Sequence, residues 1–239
     1  MTVSTYLFTG TVFFYCLGTL LSIATRKKEN LALWISNLVA AIGSLAGTCL
    51  GVRTLLTGEE WNVTWNGLLP GLEYSFKLDR LGAFFLLIIC AAGLVVSLYS
   101  IGYEKEYLGR KSVGFLGSMY NLFLLSMVLV VSAANAFLFV VVWELMAIVS
   151  YFLVTFEHED RNVRKAGFVY IVMTHVGTLF ILLALFMLYR ASGSFEFASF
   201  KGLNLSSGQK NWIFVLALIG FGTKAGITPL HVWLPRAHP

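Results

Sequence analysis

Apolar runs, each near the length that crosses a lipid hydrocarbon core, recur along this chain and leave few folds open to it. A core about 30 Å thick takes about 20 residues of helix. Seven segments reach or approach that length: residues 6–25, 31–51, 81–101, 113–132, 136–156 and 166–189, and a seventh that begins near Trp212 and continues into FGTKAGITPLHVWLP. Composition agrees. The chain is 58% hydrophobic and 12% charged over 239 residues, with mean hydropathy +0.79. A soluble domain carries about 25% charged residues. In lipid every backbone N–H and C=O must be paired within the protein. The expected fold is therefore all-α, a polytopic transmembrane helix bundle of about seven spans, embedded in the bilayer.

The first run is expected to be a span and not a secretory signal, because Arg26, Lys27 and Lys28 follow it where a signal peptide carries its charges in front. The net charge of +5 sits in short loops between apolar runs, which fits membrane topology and not nucleic-acid binding. With the N-terminus outside, inner loops carry ten Lys/Arg and outer loops six. The excess of cations on the cytoplasmic side favours that orientation and a multi-pass place in the inner (plasma) membrane. Residues 52–80, with WNVTW and a turn signal at Pro70 and Gly71, read as an outer loop or hairpin. Two regions are expected: 1–110, with the first three helices and this loop, and 111–239. Cys16, Cys49 and Cys90 lie in apolar runs without CxxC spacing, so no metal set or disulfide framework is expected.

The informative residues are polar ones inside apolar runs. Glu144 lies mid-run in AFLFVVVWELMAIVSYFLVTF, where an acid costs about 2.5–3.5 kcal/mol on insertion scales. It either serves ion movement or, as a neutral acid, hydrogen-bonds another helix. Lys224, in ALIGFGTKAGITPLHVW, either partners Glu144 or reaches toward the headgroups from a helix end. A pair of opposite charges whose separation changes can pick up and release a proton. Beside Lys224 the helix is expected to break: Pro229 supplies no backbone N–H, and Gly226 loosens the same turn. Broken helices are tolerated where they line a cavity and mark ion sites in transporters. Tyr170, Thr174 and Thr178 form one stripe beside His175 and Gly177. The threonines read as helix-packing groups. His175 either lines an ion path or packs, since an imidazole relays protons near neutral pH. His231, two turns beyond Lys224, could extend a relay, whereas His158 and His238 read as loop residues. No nucleotide loop, haem pair, iron–sulfur cysteine set or catalytic triad is found, so no cofactor is expected and whether the chain is part of an enzyme is left to its partners.

WELMAIVSYFLVTF and GFGTKAGITPLHVWLPRAHP resemble the antiporter-like subunits of the complex I superfamily. These comprise the large proton-pumping subunits of NADH:quinone oxidoreductase and those of the Mrp Na+/H+ antiporters. The LPRAHP ending is most similar to the hydrogenase-4 component B or formate hydrogenlyase subunit 3 branch, which accompanies membrane-bound [NiFe] hydrogenases. The resemblance implies that Glu144 matches the key glutamate of the fifth helix and Lys224 the lysine of a broken seventh. It puts His175 where relatives carry a basic residue in the sixth. It implies a fold of about fourteen helices with inverted repeats, of which these residues would be the N-terminal seven. The eighth-helix histidine and the second half-channel lie outside them, so ion movement by these residues alone is not expected; a fragment, a split gene product or a subunit completed by another chain are the alternatives. The implied function is a proton- or Na+-translocating subunit of a redox-driven complex, whose partners are membrane subunits of a complex I-like or group 4 hydrogenase assembly. A Na+/H+ antiporter subunit without redox coupling and a non-transporting assembly subunit are the other two.

Overall fold

The computed structural model describes residues 2–66 and 73–237. The turn signal at Pro70 and Gly71 and the loop assignment of His238 lie outside the described residues. Two compact units divide the chain, Met1–Ala133 and Ala134–Pro239.

The first unit holds four long helices: α1 (Val3–Ala24), α2 (Glu29–Thr57), α3 (Arg80–Tyr103) and α4 (Val113–Ser132). Their starts follow from local chemistry, because the first backbone N–H groups of a helix have no intrahelical acceptor. Asp79 Oδ1 accepts from Gly82 N–H at 2.8 Å to open α3. Ser112 does the same for α4 through Phe115 N–H at 3.3 Å. The helices approach closely where side chains are small. A Cβ at Gly51 on α2 would meet Ala83 O and Leu87 N of α3 at 3.1 Å each, so these two backbones are in direct contact. Inside lie buried polar groups: Tyr15 Oη bonds Ser44 Oγ at 2.9 Å, and Asn121 Nδ2 donates to Gly117 O at 2.8 Å and Ser36 O at 3.1 Å, while Asn121 Oδ1 is without a partner among the described residues. Glu104, 4% exposed, accepts from Asn37 Nδ2 at 2.9 Å. Large apolar side chains such as Phe13, Leu20, Val95 and Leu98 face outward, an arrangement that lipid tolerates and water does not.

Of residues 52–80, expected as a loop or hairpin, 52–57 continue α2 and two paired strands follow. Strands β1 (Trp61–Asn66) and β2 (Glu73–Leu78) pair antiparallel with Trp61 opposite Leu78. The strand pair caps one end of the bundle. Phe8 packs on Trp61 with ring centroids 4.5 Å apart and on Phe76 at 5.5 Å, while Trp61 Nε1 donates to Thr5 Oγ1 at 3.0 Å.

The second unit contains α5 (Ala136–Val154), α6 (Arg161–Ser192), α7 (Ser207–Ala225) and the short α8 (Leu234–Ala237). Asn135 Oδ1 accepts from Phe137 and Leu138 N–H to start α5. Ser206 and Gln209 form a reciprocal capping box at α7. α6 runs for 32 residues and stops at Gly193, φ 71°. Among the described residues six helices, α1 to α6, are long and apolar enough to cross a membrane. α7 is the seventh long helix, with Lys210 near its start and Lys224 near its end.

Candidate functional site

All the candidate side chains lie in the second unit, on α5, α6, the end of α7 and the turn that follows it. Glu144 sits in the middle of α5. Its Oε2 is 3.3 Å from His175 Nε2 on α6, with the Glu144 side chain 25% and the His175 side chain 50% exposed. The other ring nitrogen of His175, Nδ1, lies 2.8 Å from Ile171 O. A carbonyl only accepts, so Nδ1 carries the hydrogen in that contact. In a neutral ring Nε2 would then present a lone pair to a carboxylate oxygen. The two groups attract only if a proton lies on one of them, on the imidazole or on the acid. Glu144 Oε1 is buried and has no hydrogen-bond partner among the described residues.

Lys224 lies in the last turn of α7. Its Nζ donates to Tyr170 Oη on α6 at 2.9 Å and is 5.2 Å from the centroid of the same ring. No direct Glu144–Lys224 ion pair is present among the described residues: the acid is held by His175 and the ammonium by Tyr170, both from α6. Close packing makes this reach feasible. A Cβ at Gly177 on α6 would meet Gly220 O and Thr223 Cβ of α7 at 3.1 Å. On the opposite flank Trp143, the neighbour of Glu144, meets Phe221 of α7 edge-on at 5.6 Å.

The chain leaves the helix immediately after Lys224. Gly226 takes φ 72°, a left-handed value that costs glycine nothing. Ile227 N–H reaches back to Gly222 O at 2.9 Å, the bond that closes a Schellman-type helix end. Pro229 falls in the turn that follows, before α8. The returning segment is tied to the helix it left, because Trp233 Nε1 donates to Thr223 O at 2.8 Å. His231 Nδ1 is buried without a partner among the described residues.

Residues 133–239 match the family described as NADH:quinone oxidoreductase/Mrp antiporter, TM. Residues 70–106 match NADH-ubiquinone oxidoreductase (complex I), chain 5 N-terminus. The chain belongs to this family of antiporter-like membrane subunits. Hydrogenase-4 component B of Escherichia coli (strain K12) is 36% identical over 98% of this chain and 34% of its own length. Formate hydrogenlyase subunit 3 of the same organism is 32% identical over 88% of this chain and 32% of its own length. The chain therefore spans about a third of the length of the curated relatives it matches. Two solved structures share the fold. The membrane-bound sulfane sulfur reductase, an archaeal respiratory membrane complex, superposes with TM-score 0.79 at 17% identity over 96% of this chain and 47% of the matched one. The Mrp complex from Dietzia sp. does so with TM-score 0.78 at 22% identity over 99% of this chain and 25% of the matched one.

Within this antiporter-like subunit, the sequence pattern singled out Glu144, His175, Lys224 and His231, and the fold brings Glu144 and His175 together. Tyr170 was legible only as part of a polar stripe; its contact with Lys224 joins residues 54 apart in sequence. Trp233 carried no polar signal, yet its indole N–H anchors the segment after the break. Thr174 and Thr178 donate to Tyr170 O and Thr174 O of their own helix, which suits the packing role read from their spacing.

Proposed function

We propose that this antiporter-like subunit translocates protons or Na+ through Glu144, His175 and Lys224, driven by redox chemistry in partner subunits. The observation that carries the reading is the half-satisfied acid in α5, with one oxygen facing a titratable ring and the other without a partner. The free-energy cost of an acid in an apolar span argues that it is used. A displacement passed on from a neighbouring membrane subunit changes the distance between Glu144 and Lys224. Opposite charges that approach favour both ionised forms, and charges that part favour neutral ones. A proton is thereby taken up on one side and released on the other. His175 relays at the acid, and His231 extends the path beyond the break made by Gly226 and Pro229. Redox-bearing partners of complex I or hydrogenase type are suggested by relatives named as components of hydrogenase-4 and formate hydrogenlyase. The N-terminus faces outside, on the strength of the Lys/Arg distribution.

The test is proton movement by the assembled complex in proteoliposomes, read with a pH-sensitive dye. Glu144→Gln and Lys224→Ala are expected to abolish it at normal abundance. Lys224→Arg is expected to block it too, because guanidinium does not deprotonate. Wild-type movement in Glu144→Gln would remove the acid from the mechanism. Movement that persists without an electron donor, in exchange for Na+, would point to antiport without redox coupling. Reporter fusions after Lys28, Gly109 and Arg161 should read cytoplasmic, and one after Trp65 should not; the reverse pattern inverts the topology.

A further inference from the structure

We propose that Tyr170 is a gate residue that holds the Lys224 ammonium away from Glu144, so that α6 provides a separate holding place for each charge. The inference rests on the reading of Lys224 as an ion carrier and names the group that controls it. A lysine ammonium has only donors, so in the 2.9 Å contact the phenol oxygen of Tyr170 accepts. That oxygen has little else to serve, since Tyr170 is 2% exposed. The ring adds a second attraction at 5.2 Å, within the range of cation–π contacts.

The ring itself is held. Trp233 packs edge-on against it at 5.3 Å, and Trp233 is fixed by its bond to Thr223 O, one residue before Lys224. The broken segment after α7 therefore sets where the Tyr170 hydroxyl points. Five positions separate Tyr170 from His175 on α6. At 3.6 residues per turn they project about 140° apart and about 7.5 Å apart along the axis. Glu144 reaches α6 at one of these positions and Lys224 at the other. In this scheme Lys224 leaves Tyr170 when it pairs directly with Glu144. The phenol thus competes with the carboxylate for the ammonium, and it favours the separated state until a displacement of the broken segment withdraws it. Tyr170 is a positioning residue in this scheme, because it acts through Lys224.

Tyr170→Phe keeps the ring and removes the oxygen. In the assembled complex, in proteoliposomes with an imposed membrane potential and no electron donor, proton leak is expected to rise about tenfold, the size of effect for one hydrogen bond to a charged group. The double variant Tyr170→Phe/Lys224→Ala should return to the wild-type leak, because the leak runs through the released lysine. Tyr170→His, which keeps an aromatic ring with an acceptor atom, should leak less than Tyr170→Phe. A Tyr170→Phe leak equal to wild type would overturn the inference, as would a leak that persists when Lys224 is also removed, since that marks general damage. Undiminished redox-driven pumping in Lys224→Ala alone would instead overturn the carrier reading on which the inference rests.

Discussion

The two units differ in how far they close off their acids. In the first, Glu104 is 4% exposed and takes its donor from an asparagine that is 1% exposed. Tyr15, Ser44 and Asn121 are likewise sealed inside, Tyr15 bonded to Ser44 and the Asn121 amide nitrogen to Gly117 O, although Asn37 Oδ1 and Asn121 Oδ1 have no partner among the described residues. In the second, the Glu144 and His175 side chains stay 25% and 50% exposed, and each charged group is held by a single side chain of α6. A carboxyl closed off by helices and donors cannot exchange an ion without opening the bundle. One that keeps an open face and an unmatched oxygen can. Burial of an acid is therefore a poor sign of function by itself; an acid that keeps access is the better one, since buried polar atoms without partners occur in both units.

The sharpest way to break this contrast is to make one chemical change in both places. Glu144→Gln is expected to remove ion movement altogether. Glu104→Gln retains an acceptor for Asn37 and is expected to leave movement per assembled complex unchanged. Loss of transport in both would erase the distinction. Next in size is the glycine test. Gly177→Val should overpack the α6–α7 contact and cost about 1–3 kcal/mol, seen as thermal unfolding several degrees lower in detergent. Gly208→Ala, with open space around the added carbon, should leave the midpoint unchanged or slightly raised.

Asn37→Ala leaves the Glu104 carboxyl without its donor. A cost of about 1–3 kcal/mol is expected, again as a lower unfolding midpoint, with normal ion movement in complexes that assemble. Reduced movement per complex would give the first unit a share in the mechanism. The smallest effect belongs to the hairpin, where Glu60 lies 2.6 Å from Lys77 at side-chain exposures of 57% and 41%. The hydrogen bond to Glu60 raises the Lys77 pKa above its ordinary value of 10.5. Stabilisation of this sign is fully present at neutral pH and is lost only as pH rises through the raised value. Solvent screening keeps it small. Glu60→Gln should not shift the unfolding midpoint at pH 7 beyond scatter.

The sequence alone determined that this is a membrane bundle, because run length and the scarcity of charge are read directly from the residues and lipid admits few alternatives. Glu144 and Lys224 stood out for the same reason: a charge amid apolar neighbours is conspicuous in one dimension. The end of α7 was equally legible, since Gly226 and Pro229 act on their own backbone. What the sequence could not decide is which side chains meet. Glu144 and Lys224 read as natural partners by charge, yet in the folded chain His175 faces the acid and Tyr170 accepts from the lysine. Helix rotation and the close α6–α7 approach at Gly177 set that pairing. The buried amide beside Glu104 was hidden likewise, because Asn37 lies 67 positions away. Contacts between helices depend on rotation and axial offset, and these are fixed only when all the faces pack at once.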